Sequence, residues 1–225
     1  MTETRVCLEA GRVWLRHGQL RAQQGADRKG WTRIALLATT ALLLGGDEVE
    51  LRVEVGAGQR LDLYDVAGTV AYHGRGDSSA WRLSVEVQAG GALRYRGEPF
   101  VVSDGADVTR TTDLALDPDA SLWLRETVVL GRHGQIGGRL RTHTRLRVGG
   151  HDAWREDQDL DPTRTRCLPG LLGNHRVLDS VVAVGAAEPP PAHPRMVRFG
   201  LVGGAGSVTR HLGTDLADSP LHQRE

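Results

Sequence analysis

Lysine is almost absent from this chain. Lys29 is the only one among 28 basic residues, and the rest are arginine. Such a bias fits GC-rich codon usage and carries no function by itself. Charge of one sign is also missing: 28 basic residues face 28 acidic ones. A dedicated nucleic-acid binder shows a basic excess, so that class is set aside. Cysteine occurs twice, at Cys7 and Cys167, far apart and without a CxxC. That excludes a disulfide framework and a zinc ribbon, and both residues are expected as free thiols in a reducing compartment. Aromatic residues make up only 4% of the chain, so Val, Leu and Ala must build the core. The longest apolar run, Ile34 to Leu44, is broken by Thr39 and Thr40. A membrane span needs about 20 apolar residues, so none is expected. The N-terminus is polar, with Glu3 and Glu9, and has no signal-peptide pattern. A cytoplasmic location is the expectation.

Catalytic signatures are lacking as well. There is no GxSxG and no HExxH. Gly203-Gly204-Ala205-Gly206 lacks the GxGxxG spacing, and Arg75-Gly76-Asp77 reads as a turn. Nine histidines are scattered, and none forms a metal-ligand pair by local spacing.

What is abundant is glycine, with 29 of 225 residues, about twice the usual ~7%. The glycines have no fixed period and punctuate short strands. Val49, Leu51, Val53 and Val55 alternate with Glu48, Glu50, Arg52 and Glu54, which buries one face of a strand. Leu61 and Leu63 begin the next strand, with Asp62 and Tyr64 opposite. Trp81, Leu83, Val85 and Val87 repeat the pattern, and Leu93 and Tyr95 start another strand. Turns recur about every 8–12 residues, as in all-β folds of this size. Arg139 to Val148 alternates best. Leu140, Thr142, Thr144, Leu146 and Val148 share one face, while Arg139, Arg141, Arg145 and Arg147 share the other with His143. Two readings of that arginine ladder stand side by side: a solvated edge strand, or a row facing an acidic partner or internal carboxylates. Further on, 176–184 reads as a buried strand and 197–202 as a possible one. Glu188 to Pro194 reads as a stiff linker, and 210–221 as a short helix or a frayed end.

The expected architecture is all-β: stacked sheets in a β-helix-like or sandwich arrangement, with a minor C-terminal helix. One domain is expected over 1–225, with 188–225 as a loosely packed extension.

Two carboxylates stand out by position. Asp47 follows Gly45-Gly46, where a turn aspartate bonds its own backbone. Glu126 falls in the same phase as Leu122, Leu124, Val128 and Leu130, on an apolar face. A carboxylate there needs an arginine partner or a polar cavity. Glu156 lies in the charge-dense AWREDQDLD segment, where a surface position is the simpler reading.

Four segments in order resemble the urease accessory protein UreD (UreH) family. They are GGDEVELRVEVGAGQRLDLYDVAGTVAY from Gly45, GALRYRGEPFVVSDGA from Gly91, RETVVLGR from Arg125 and WREDQDL from Trp154. The family's Gln-Arg-Pro-like stretch is not found between Leu20 and Ala38, and its Gly-Glu-x-Phe after Leu-Gly-Arg is missing. The resemblance implies a non-catalytic urease maturation factor. It implies binding to the urease apoprotein, to a UreF-like protein and, through it, to a UreG-like GTPase, with no nucleic-acid or membrane partner. It implies no tightly bound cofactor, but nickel in transit along an internal route. Carried over by position, the family's polar residues fall on Asp47, Thr69, Glu126 and Glu156, as channel-lining or structurally critical groups. A β-sandwich hydrolase and a generic β-rich interaction module remain as alternatives.

Overall fold

In the computed structural model, residues 3–164, 168, 172–187 and 195–222 are described. The reading of Glu188 to Pro194 as a linker, and that of Cys167 as a thiol, fall outside them. Cys7 is a free thiol.

The strands follow the alternation of the sequence. In chain order they are β1 (Thr4–Glu9), β2 (Arg12–Arg16), β3 (Leu20–Gln24), β4 (Thr32–Ala38), β5 (Glu48–Val55), β6 (Arg60–Asp65), β7 (Thr69–Ala71), β8 (Ser79–Val87) and β9 (Ala92–Arg96). There follow β10 (Phe100–Val102), β11 (Asp107–Leu116), β12 (Ser121–Leu130), β13 (Arg139–Val148), β14 (His151–Leu160), β15 (Val177–Val184), β16 (Met196–Gly200) and β17 (Gly206–Gly213). The only helical pieces among the described residues are two three-residue 3-10 turns, at 202–204 and 216–218. The expected C-terminal helix is thus reduced to a single turn, because the period-two run of 206–213 continues the sheet.

The chain winds as a β-solenoid of about four turns. It crosses repeatedly between two sheets, ordered β14-β13-β11-β8-β5-β1-β2 and β16-β17-β15-β12-β9-β6-β4-β3, with β7 and β10 beside β12. Successive coils stack in parallel register. Val53, Val85, Leu114 and Leu146 lie side by side in the first sheet. Leu61, Leu93 and Leu122 do so in the second. These inward columns meet in one continuous apolar core. With few aromatics, the core depends on aliphatic stacking, at about 25 cal/mol per Å² of apolar surface removed from water.

On the outer face of the first sheet, the arginine ladder of β13 is fully matched. Arg139 pairs with Asp159, Arg141 with Asp107, Arg145 with Asp152 and Arg147 with Asp113. Of the two readings, the row of internal carboxylates is the one realised. β13 is no edge, because β14 pairs along it antiparallel. The pairing continues across the face as Arg52–Glu86, Arg82–Glu48 and Arg5–Glu54.

Candidate functional site: a polar passage through the solenoid

The stacked columns do not stay apolar. In the first sheet, Leu51 and Leu83 give way along the same row to Thr112 and Thr144, then Glu156. Val49 and Trp81 give way to Arg110 and Thr142, then Gln158. In the second sheet Leu36 adjoins Asp65, and further along Glu126, Ser180 and Arg210 lie abreast. Polar groups from both sheets therefore face one another in the later coils and enclose a cavity of about 50 Å³.

Each carboxylate there has an arginine. Arg110 donates to Glu126 Oε1 at 2.7 Å, and Thr112 donates to the same oxygen at 3.2 Å. Glu126 Oε2 makes no hydrogen bond among the described residues. The Arg110 guanidinium also sits 4.7 Å from the centre of the Phe100 ring. Arg210 forks onto both oxygens of Glu156, at 2.9 and 2.7 Å, and reaches Ser180 Oγ at 3.0 Å. Matched pairs of this kind offset much of the desolvation of their charges.

The second sheet is interrupted beside Glu126. β6 stops at Asp65 and resumes as β7, and β9 stops at Arg96 and resumes as β10, while β12 runs on unbroken. The two breaks lie side by side. Thr69 N donates to Pro99 O at 3.0 Å, and a Cβ on Gly68 would stand 2.7 Å from that same oxygen, so the crossing needs glycine. Asp65 replaces the missing backbone acceptors. It accepts from Glu98 N and from the Tyr95 hydroxyl, each at 3.1 Å. Burial pushes its carboxyl up to about 7 against those hydrogen bonds. The gap holds about 20 Å³, room for roughly one water, and Asp65, Thr69, Glu98, Arg110 and Glu126 line it.

On the far side of the gap lies a cavity of about 730 Å³ on the outer face of the second sheet. It shares Asp65, Gly97, Glu98 and Arg125 with the gap, and the gap shares Arg110 and Glu126 with the inner cavity. Arg125 is held there in a buried fork on Asp179, at 2.9 and 2.8 Å. Thr127 and Ser219 also donate to Asp179, and His222 lies 2.7 Å from Arg125, so the C-terminal segment closes one wall.

Of the four residues expected from the sequence, three lie along this passage. Thr69 and Glu126 line the gap, and Glu126 and Glu156 line the inner cavity. Glu156 faces inward rather than lying out on the surface, because Trp154, Glu156 and Gln158 share the inner phase of β14. Asp47 is elsewhere. It accepts from Leu44 N at 2.7 Å in the turn before β5, the role ordinary for a turn aspartate. Sequence reasoning missed Asp65, Arg110 and Arg210. Asp65 and Arg110 had a readable signal, since Asp65 follows Leu61 and Leu63 in the inward phase, and Arg110 lies between Val108 and Thr112 in theirs.

No group of three or more His, Cys, Asp or Glu side chains suited to a metal ion occurs among the described residues. The site is a row of three adjoining cavities lined by arginine-paired carboxylates, hydroxyls and the buried Asp65. Residues 15–212 match the model of the UreD urease accessory protein family. The chain belongs to the UreD family. It is 46% identical over 190 residues to urease accessory protein UreD 1 of Streptomyces griseus, covering 84% of this chain and 72% of that protein. It is 36% identical to UreD of Frankia casuarinae, over 71% of this chain and 54% of that protein. Against UreD of Rhodopseudomonas palustris it is 29% identical, over 80% and 64%. UreD proteins are non-catalytic accessory factors of urease maturation, which sets the hydrolase alternative aside. No helix among the described residues is long and apolar enough to cross a membrane.

Proposed function

We propose that this UreD chain gives nickel a protected route during urease maturation, in the cytoplasm, within a complex. The partners in that reading are the urease apoprotein, a UreF-like protein and, through it, a UreG-like GTPase. The observation that carries it is Glu126, a carboxylate placed where the gap in the second sheet opens into the inner cavity. Nickel is cargo here, not a resident cofactor. An ion in transit must be held weakly and at several places, or it does not leave. Carboxylates already matched by Arg110 and Arg210, together with Thr69, Thr112 and Ser180, suit weak, successive contacts. A tight His-Cys cluster would bind copper and zinc in preference to nickel.

The test is the isosteric change Glu126→Gln, co-expressed with urease and its accessory proteins. It keeps the volume and the hydrogen bond to Thr112 but removes the charge. Nickel per urease active site is expected to fall by about twofold or more, with complex assembly intact. Wild-type nickel loading with intact assembly would take Glu126 off the route.

A further inference from the structure

Three arginines along the passage hold their carboxylates in two different ways. Arg125 grips Asp179 through two nitrogens, at 2.9 and 2.8 Å. Arg210 forks onto both oxygens of Glu156, at 2.9 and 2.7 Å. Arg110 donates a single bond among the described residues, from a terminal nitrogen to Glu126 Oε1 at 2.7 Å. Its Nε is buried and has no hydrogen-bond partner there. The other support of its guanidinium is the Phe100 ring, 4.7 Å away, which Trp81 meets edge-on at 5.9 Å. A fork fixes geometry as well as charge, whereas a single bond leaves the head free to turn.

The loosely held arginine stands at the narrowest place. Arg110 and Glu126 are the two residues that line both the gap of about 20 Å³ and the inner cavity of about 50 Å³. A gap with room for roughly one water admits an ion only when most of its shell is shed, so protein oxygens must replace it. Glu126 Oε1 is such an oxygen, and Arg110 occupies it. A guanidinium keeps its charge at every physiological pH, so deprotonation does not clear the way. Displacement does. A monovalent cation brings Glu126 no more charge than the guanidinium already supplies, while a divalent cation brings twice as much. The displaced head has oxygens to turn to, since Thr142 and Gln158 follow Arg110 in the same cross-strand row and line the inner cavity. Arg125 and Arg210 would each have two bonds to break, which suits them to fixed walls.

We propose that Arg110 is the gate of the passage: its guanidinium holds Glu126 at rest, and a divalent cation crosses from the gap to the inner cavity by displacing it from that carboxylate. This rests on the reading of the passage as a nickel route, and it names the residue that an ion in transit must move.

Equilibrium dialysis of the untagged full chain against nickel(II) alone tests it. A carboxylate withheld by its own arginine binds an ion with an affinity reduced by the fraction of molecules in which it is free. Arg110→Gln is therefore expected to bind nickel about tenfold or more tightly than the wild type, and Arg110→Gln with Glu126→Gln to lose that gain. Wild-type affinity in a folded Arg110→Gln overturns the proposal. A gain that survives the added Glu126→Gln overturns it too, because the ion then sits elsewhere. Phe100→Leu is the second variant and touches no charge. It removes the ring that supports the closed guanidinium, and is expected to tighten nickel binding by about threefold or more. If Arg110→Gln does not fold, Phe100→Leu decides, and unchanged affinity there overturns the gate. The gate and the route fail separately. If Arg110→Gln tightens nickel binding through Glu126 while Glu126→Gln leaves urease loading at the wild-type level, the route fails and the competition for Glu126 stands. If loading falls in Glu126→Gln but Arg110→Gln binds nickel as the wild type does, the route stands and the gate fails.

Discussion

Asp65 is the most informative single residue. It occupies an inward position in β6, yet its carboxyl accepts from Glu98 N and the Tyr95 hydroxyl instead of meeting an arginine. Burial raises it from 3.8 to about 7, so the folded chain holds a proton that the unfolded chain has released across that window. Linkage then fixes the sign: the folded state binds more protons than the unfolded state, so stability falls as pH rises from about 4 to 7. Asp65→Asn keeps an acceptor and removes the titration. Relative to that variant, the wild type is expected to lose stability across this range, by at most about 1.4 kcal/mol per pH unit. Urea denaturation of both proteins at pH 5 and pH 8 checks it. Parallel pH dependence in the two would mean that Asp65 titrates normally. Glu126 and Glu156, each bonded to an arginine, present the opposite solution to an inward carboxylate.

Among the elements, the parallel strands of the middle coils bear the load. Leu114 in β11 is fully buried between Val85 and Leu146 in its column. Truncating it leaves a void that neighbouring coils cannot close, because backbone pairing on both sides holds β11 in place. Leu114→Ala is expected to cost about 2–5 kcal/mol, read from chemical denaturation. A loss under about 1 kcal/mol would show that the column relaxes. The ion pairs on the outer face of the same strands contribute far less, since exposed pairs are typically worth about 0–1 kcal/mol. Their value is in solubility and register. β14, the edge beside them, is lined on its outer face with Arg155, Asp157 and Asp159, which blocks further pairing.

At the scale of the whole molecule, the two sheets end differently. The second sheet ends at β16, whose Val197 and Phe199 are more than half exposed, with Val202 just beyond. An exposed apolar edge strand is a template for association. The isolated chain is therefore expected to self-associate at high concentration. Phe199→Lys should reduce light scattering without shifting the melting temperature, and unchanged scattering would acquit this edge. Partner binding adds stability by mass action, so the chain within its complex is expected to behave better than the chain alone.

The strands were legible in the sequence, because a strand's period of two is local. Val49 to Val55, Trp81 to Val87 and Arg139 to Val148 each show their buried face without reference to any other residue. The ordered motifs from Gly45 to Leu160 were legible too, and with them the family. Glu126 could be singled out because a charge in an apolar phase is visible within one strand. Which arginine it meets could not be read. Arg110 is sixteen residues away along the chain and reaches Glu126 only because β11 and β12 lie in opposite sheets. Arg210, fifty-four residues from Glu156, is brought to it by the antiparallel return of β15 and β17. The passage itself belongs wholly to tertiary structure. Two short strand breaks, each unremarkable in sequence, make a gap only when the parallel stacking of coils sets them side by side.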